Sequence, residues 1–356
     1  MKVGIVTIYD DNNYGNKLQC FALQQKLTEL GAEVTVIHDD DKRLSIKVKR
    51  LAKKLLKREN NTKEKTLRKR KFEDFNKKIK YSKYTVDLAH PKIKEEFEYF
   101  IVGSDQVWNP NFNRLNNLDI LKFAKSNKRI SYAASFGIND IPAEYQNRIT
   151  DEISKFHAIS VREDRGKEII EKYTKRSDTQ VLIDPTMLLT SKEWDKVLIK
   201  PEKITSKRYI LKYFLGNIDK SKNDEINRIA KENDCEIIDV MDKNSLFYQT
   251  GPSEFLYLEK NAFLICTDSF HSCVFAILYN RPFIVFEREN KSTKNNSKMN
   301  SRIQTLLEKF NLKNTLFNKT IENKQLKVDY TETNRILKSE QEKSIKFLKN
   351  VLDIKE

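Results

Sequence analysis

The chain has 356 residues, 38% of them hydrophobic, and a net charge of +16 at pH 7. That length exceeds one ordinary hydrophobic core and predicts two domains, while no window reaches the roughly 18 apolar residues of a membrane span. Cys20, Cys235, Cys266 and Cys273 include no C-x-x-C pair, which argues against a zinc site or a disulfide frame and for buried thiols in a reducing compartment.

Residues 3–8 read as a strand, too short for a secretory signal core and followed by no cleavage pattern, so a cytoplasmic protein is expected. A polar turn over 9–16 leads to a helix over about 18–30, with Gly31 placed as its C-terminal glycine. A second strand at 34–38 completes a unit of the size of a right-handed parallel crossover.

Residues 42–80 then carry 18 Lys or Arg against four acids, a net +14 that holds nearly the whole excess charge. Leu44, Val48, Leu51 and Leu55 mark one apolar helical face there, and Phe72, Phe75 and Ile79 mark another. This is a basic helical insertion, not a property of the fold.

Strands follow at 99–102, 129–134, 158–161 and 181–183, each running into a polar or glycine-bearing tip, as doubly wound sheets do. The polar stretch 190–207 reads as a linker between an N-terminal domain at 1–195 and a C-terminal domain at 205–356. The second domain has strands at 209–214, 236–240, 263–266 and 283–286. A polar loop at 289–300 precedes a helix N-capped by Ser301 that carries Ile303, Leu306 and Leu307. The last helix is expected to pack back on the first domain. The fold class is α/β, with two Rossmann-like domains facing across a cleft.

Four segments carry chemistry. In Asn12-Asn13-Tyr14-Gly15-Asn16, Gly15 permits a tight turn, and the amides of Asn13 and Asn16 beside a helix N-terminus suit a hydroxyl or a phosphate. Asn and Gly also simply build turns. In Gly103-Ser104-Asp105-Gln106-Val107-Trp108, a strand ends in a glycine, a hydroxyl, a carboxylate and an amide. Asp105 and Gln106 can bind sugar hydroxyls, and Trp108 either stacks on a sugar ring or packs as a core lid. Arg162, at a strand end, offers bidentate contacts to a carboxylate or phosphate, or else pairs with Glu163 or Asp164.

The fourth segment, Phe263 to His271, is an apolar run that stops at Thr267-Asp268-Ser269. It puts His271, one of four histidines, in the first turn of a helix; a His that caps or packs that turn is the alternative. No G-x-x-x-x-G-K-[ST] loop, kinase signature or G-x-S-x-G elbow is present.

In this order the segments resemble the polysaccharide pyruvyltransferase family. Asn13-Tyr14-Gly15-Asn16, the Gly103 to Pro110 stretch, Ser160-Val161-Arg162-Glu163 with Asp184-Pro185, and Thr267 to His271 followed by Asn280-Arg281-Pro282 are each similar to a family signature. Asn300-Ser301-Arg302-Ile303 matches a further one. The resemblance implies a fold similar to the GT-B glycosyltransferases, and transfer of pyruvate from phosphoenolpyruvate to two sugar hydroxyls as a ketal, with release of phosphate.

No metal and no cofactor beyond the phosphoenolpyruvate donor is implied. Arg162 and His271 match the family's catalytic positions, His271 as acid or base, since imidazole ordinarily titrates near neutrality. Asn13, Gly15, Asn16, Gly103, Ser104, Asp105, Gln106, Trp108, Asp268, Ser269 and Arg302 are the implied substrate-binding set. Arg302 would reach the donor when the 289–300 loop closes. Asn16 departs from an acidic residue in some distant members.

A lipid-linked glycan precursor for capsule or exopolysaccharide is the implied acceptor, and 42–80 would then contact the anionic inner face of the membrane peripherally. A solvated helical insertion is the other reading of that charge; no nucleic-acid motif accompanies it. A GT-B-like glycosyltransferase using a nucleotide sugar, and a non-catalytic basic protein that binds lipid or nucleic acid, are the alternatives.

Overall fold

The structure, a computed structural model, describes residues 1–10, 12–38, 63–85, 93–112, 114–205, 207–288 and 301–355. In chain order its elements open with β1 (Lys2–Val6), α1 (Tyr14–Glu29), β2 (Glu33–His38), α2 (Lys63–Asn76), β3 (Tyr81–Thr85), α3 (Ile93–Glu96) and β4 (Tyr99–Val102). Then come β5 (Arg129–Ala134), α4 (Ala143–Asp151), β6 (Ala158–Val161), α5 (Asp164–Thr174), β7 (Gln180–Val181) and α6 (Ser191–Asp195). Next are β8 (Tyr209–Tyr213), α7 (Lys220–Glu232), β9 (Glu236–Asp239), α8 (Pro252–Asn261) and β10 (Leu264–Thr267). The chain closes with α9 (Phe270–Leu278), β11 (Phe283–Val285), α10 (Ser301–Lys309) and α11 (Thr331–Val351).

These elements form two compact units. One holds the described residues of 1–62, 76–188 and 341–356, the other those of 63–75 and 189–340. Among the described residues the first unit has a seven-stranded parallel sheet in the order β3-β2-β1-β4-β5-β6-β7. The second has a four-stranded parallel sheet in the order β11-β10-β8-β9. Strands covered on both faces need apolar residues throughout, and β5 and β10 are buried at every position. Helix α1 starts where Asn13 Oδ1 accepts from Asn16 N–H and ends at Gly31, whose φ of +91° only glycine adopts freely.

In each sheet the strand order reverses once, between β1 and β4 in the first unit and between β8 and β10 in the second. Crevices that hold ligands lie at such reversals, beyond the carboxyl ends of the strands. Register sets these ends level: Val6 lies opposite Val102, and Tyr213 opposite Thr267.

Several expectations change. Gly15 lies within α1 as buried helical backbone, not in the preceding turn. The stretch 190–207 is not a bare linker: Thr190 and Glu193 form a reciprocal capping box that starts α6, and Trp194 is fully buried. The break between units falls at Leu188–Leu189.

Helix α2, expected within an insertion in the first domain, groups with the second unit. Arg68 Nη1 donates to the carbonyl of Tyr248 at 3.0 Å, and Lys71 Nζ pairs with Glu254 at 2.6 Å. Phe72 and Phe75 are buried. The Leu44, Val48, Leu51 and Leu55 face and the 289–300 loop lie outside the described residues. At the other end of the chain, Gln341 Nε2 donates to the Met187 carbonyl at 2.7 Å, and the Phe347 ring packs 6.4 Å from Tyr132, all within the first unit. No helix of the described residues is long and apolar enough to cross a membrane.

Candidate functional site

The first unit gathers most of the expected residues at its β1/β4 reversal. Gly103 follows β4 with φ +120°, and a Cβ there would sit 2.3 Å from the Tyr132 carbonyl oxygen, so glycine is required. The next residue, Ser104, is fully buried and spent on the scaffold. Its hydroxyl donates to the Ala133 carbonyl at 2.7 Å and to Asp184 Oδ2 at 3.1 Å, and its N–H donates to Gln19 Oε1 at 3.0 Å. Ser104 is therefore a structural link and not a ligand-facing hydroxyl.

Arg162 follows β6 and is sealed from solvent. Its Nη1 donates to Asp184 Oδ2 at 2.5 Å and its Nη2 to Asp105 Oδ1 at 3.0 Å. Asp184 is saturated further by the backbone N–H and hydroxyl of Thr186, at 3.0 and 2.7 Å. Burial disfavours the guanidinium charge, but Asp184, Asp105 and Glu163 outweigh it and hold the group protonated, with its pKa above the usual value. This corrects the expectation of a cation presented to substrate. The guanidinium forks to Asp105 and Asp184, and the neighbouring Glu163 adds to the field that holds it charged.

Glu163 has its own task. Its Oε1 accepts from Ser135 Oγ at 2.9 Å and from the N–H groups of Phe136 and Gly137 at 3.0 and 3.3 Å, which fixes the turn after β5.

Asp105 is where this network comes nearest the surface, with 9% of its side chain exposed. Arg162 binds one of its oxygens, and the amide of Asn16 donates to the other. Asn13 does not join this cluster, since its side chain caps α1. Gln106 is half-buried, its Oε1 accepting from Asn109 Nδ2 at 2.7 Å. Trp108 is corrected outright: it is fully buried, its Nε1 donates to the Asp119 carbonyl at 2.9 Å, and its ring packs on Phe136 and Phe156. No face of the indole is open to a sugar.

In the second unit the β8/β10 reversal holds Asp268, Ser269 and His271. Asp268 Oδ1 accepts from Leu215 N–H at 2.7 Å; its Oδ2 accepts from Gly216 N–H at 2.8 Å and Arg288 Nε at 3.0 Å. It staples the ends of β8 and β10 together through these three bonds. Ser269 is the N-cap residue of α9, yet its side chain makes no cap bond to the first turn. His271 occupies that turn, 7% exposed. Its ring and the Arg302 guanidinium both lie against Phe270, at 5.3 and 6.0 Å from the ring centre. An imidazole, a guanidinium and a helix N-terminus without a side-chain cap thus share one neighbourhood. This is the composition of an anion-binding and proton-transferring site.

Sequence reasoning passed over Lys17. It follows Asn16 in α1, is buried, and holds its Nζ 3.7 Å from the centre of the Tyr9 ring. A lysine one residue before the apolar run of a helix was the available signal. Gln19, which bridges Thr7 Oγ1 at 2.8 Å to the Ser104 N–H, carried none.

The sequence profile described as polysaccharide pyruvyl transferase matches residues 13–290. No curated protein sequence matches this chain at a significant level. Among solved structures, the chain is similar to the UDP-GlcNAc 2-epimerase of Neisseria meningitidis bound to UDP-GlcNAc. There the identity is 13%, the TM-score 0.50, and 99% of each chain is covered. A glycosyltransferase of Rickettsia africae gives 12% identity and a TM-score of 0.49 over 98% of each chain. At such identity the epimerase likeness shows fold alone, two α/β units of the GT-B type. The profile spans Asn13, the Gly103 to Trp108 stretch, Arg162, Asp184 and the Asp268 to His271 turn, and ends before Arg302. The chain belongs to the polysaccharide pyruvyl transferase family, transferases that place a pyruvyl group on polysaccharide.

Proposed function

We propose that the chain transfers pyruvate from phosphoenolpyruvate to two hydroxyls of one sugar in a polysaccharide or a lipid-linked glycan precursor. The products are a cyclic pyruvate ketal and inorganic phosphate. Family membership supports pyruvyl transfer, and the grouping of His271, Arg302 and the first turn of α9 supports phosphoenolpyruvate as donor. That donor carries a phosphate and a carboxylate, and this neighbourhood offers cationic and N–H groups for both.

His271 delivers a proton to the methylene carbon, and a sugar hydroxyl adds to the neighbouring carbon as its own proton leaves. The second hydroxyl then displaces phosphate. Of the two hydroxyl protons, one replaces the proton spent on the methyl group and the other departs with phosphate. A positioned general acid contributes about 10²- to 10⁴-fold, so a His271→Ala variant loses turnover on that scale. Arg162 acts one step back, holding Asp105 beside Asn16, and Asp105 with Gln106 binds acceptor hydroxyls.

The assay offers phosphoenolpyruvate with a panel of free and lipid-linked glycosides and follows phosphate together with the ketal methyl signal by NMR. Turnover of a nucleotide sugar in place of phosphoenolpyruvate would overturn the reading. Vesicle co-sedimentation, with and without anionic lipid, tests a peripheral membrane role for 42–80.

A further inference from the structure

Behind the His271 turn lies a carboxylic acid that the proposed chemistry does not use. Glu259, on α8, is fully buried. Its Oε1 accepts from the hydroxyl of Ser272 at 2.6 Å, and Ser272, also fully buried, is the residue after His271 in the first turn of α9. Its Oε2 has no hydrogen-bond partner among the described residues. The titratable groups that feel Glu259 are Tyr209 from β8, Cys273 from α9 and Tyr279 just after α9, all of them pushed up by burial and so uncharged. No cation is among the groups that act on the Glu259 carboxyl, and burial holds it protonated well above the usual carboxylate range.

A polar group placed this way disfavours folding, because it gives up water for a single hydrogen bond. An apolar side chain of the same size would pack there at lower cost. Its position is what sets it apart. Ser269 gives α9 no side-chain cap, so the usual anchor of a helix start is missing where the imidazole sits. The bond from Glu259 to Ser272 anchors that turn from the interior.

We propose that Glu259 is a positioning residue for His271: its buried carboxyl fixes the first turn of α9 through Ser272, and so sets the orientation of the imidazole and of the turn's N–H groups toward an anionic donor. The proposal rests on the assignment of the donor to this turn, and its test separates the two.

The experiment uses the full chain labelled with ¹³C at histidine Cε1, the His271 signal being assigned by its loss in His271→Asn. Phosphoenolpyruvate alone is the titrant. In Glu259→Gln, which keeps an acceptor for Ser272, the His271 signal stays at its wild-type position and phosphoenolpyruvate affinity is retained. In Glu259→Met, which keeps volume and removes the acceptor, the His271 signal moves or broadens and affinity falls about tenfold, with no loss of Tm.

Ser272→Ala, a smaller change, gives the same displacement, and adding it to Glu259→Met adds nothing further. A His271 signal unmoved in both Glu259→Met and Ser272→Ala overturns the proposal. So does a Tm loss in Glu259→Met that Gln restores while the signal never moves, since that is a purely structural bond. Wild-type protein that does not bind phosphoenolpyruvate removes the donor assignment instead, and the histidine signal still reports on positioning.

Discussion

The Nη1 of Arg162 sits 2.5 Å from Asp184 Oδ2, with both side chains closed to solvent, and the same guanidinium spans 3.0 Å to Asp105. One cation thus ties together the ends of three segments: the tip after β4, the tip after β6, and the Asp184-Pro185 turn. Asp105 is its outlet toward the surface.

Arg162→Ala should therefore unsettle the fold as well as activity. Removing one member of a buried ionic network leaves charges uncompensated, at a cost of about 3 kcal/mol or more. Arg162→Lys should not restore it, because a single ammonium nitrogen does not reproduce the separated Nη1 and Nη2 that reach Asp184 and Asp105. Chemical denaturation reads this as a lower midpoint with unchanged m. Wild-type stability in Arg162→Ala, with a defect confined to turnover, would return the guanidinium to the substrate.

Trp108→Ala should lose about 3 to 5 kcal/mol of stability, as a fully buried indole leaves a large cavity. Trp108→Phe should retain the KM for every acceptor tested, because the ring faces Phe136 and Phe156. A selective rise in acceptor KM at unchanged Tm would contradict this placement.

Much of this architecture was legible in the sequence because parallel strands buried on both faces are apolar throughout, and their polar tips mark the carboxyl ends. Tips at Gly103, Ser135, Arg162 and Asp184 were visible for that reason. What the sequence did not show is which tip residues face one another across the sheet. Asp105, Arg162 and Asp184 are separated in the chain, and the order β4-β5-β6-β7 makes them neighbours. The ion-pair alternative for Arg162 looked only to the adjacent Glu163 or Asp164 and did not reach Asp105 or Asp184. Trp108 misled in the same way, since an indole beside polar residues reads equally as a platform or as core. Tyr81–Thr85 went unseen as a strand because an edge strand needs no continuous apolar run.

Helix α2 should be indispensable to the second unit, although the sequence reads 42–80 as a separable insertion. Phe72 is fully buried and Lys71 pairs with Glu254, whose Oε2 also accepts from Gly251 N–H at 2.9 Å. Phe72→Ala should cost about 3 kcal/mol or more, and deletion of 63–75 should expose the surface it covers. Limited proteolysis and Tm check both. A deletion variant with unchanged Tm would make α2 a mere appendage.

Glu259→Gln should stabilise the protein in a pH-dependent way. The Glu259 carboxyl is raised in the folded state by burial, so the folded chain keeps a proton that the unfolded chain releases above about pH 4.3. The stability that Glu259 supports is thus full below that value and falls as pH rises toward the folded-state pKa. The Gln variant carries no such proton. Its Tm advantage over the wild type should be small at pH 4.5 and larger at pH 8. An advantage that shrinks with rising pH would mean that Glu259 is ionised in the fold.

The most direct test of the account is the turnover of phosphoenolpyruvate with a glycan acceptor in D₂O, read by NMR in wild type and His271→Ala. The account predicts equimolar phosphate and ketal, a single deuteron in each ketal methyl group, and loss of both products by about 10²-fold or more without His271. Near-normal turnover in folded His271→Ala, or a ketal methyl formed without deuterium, would contradict it.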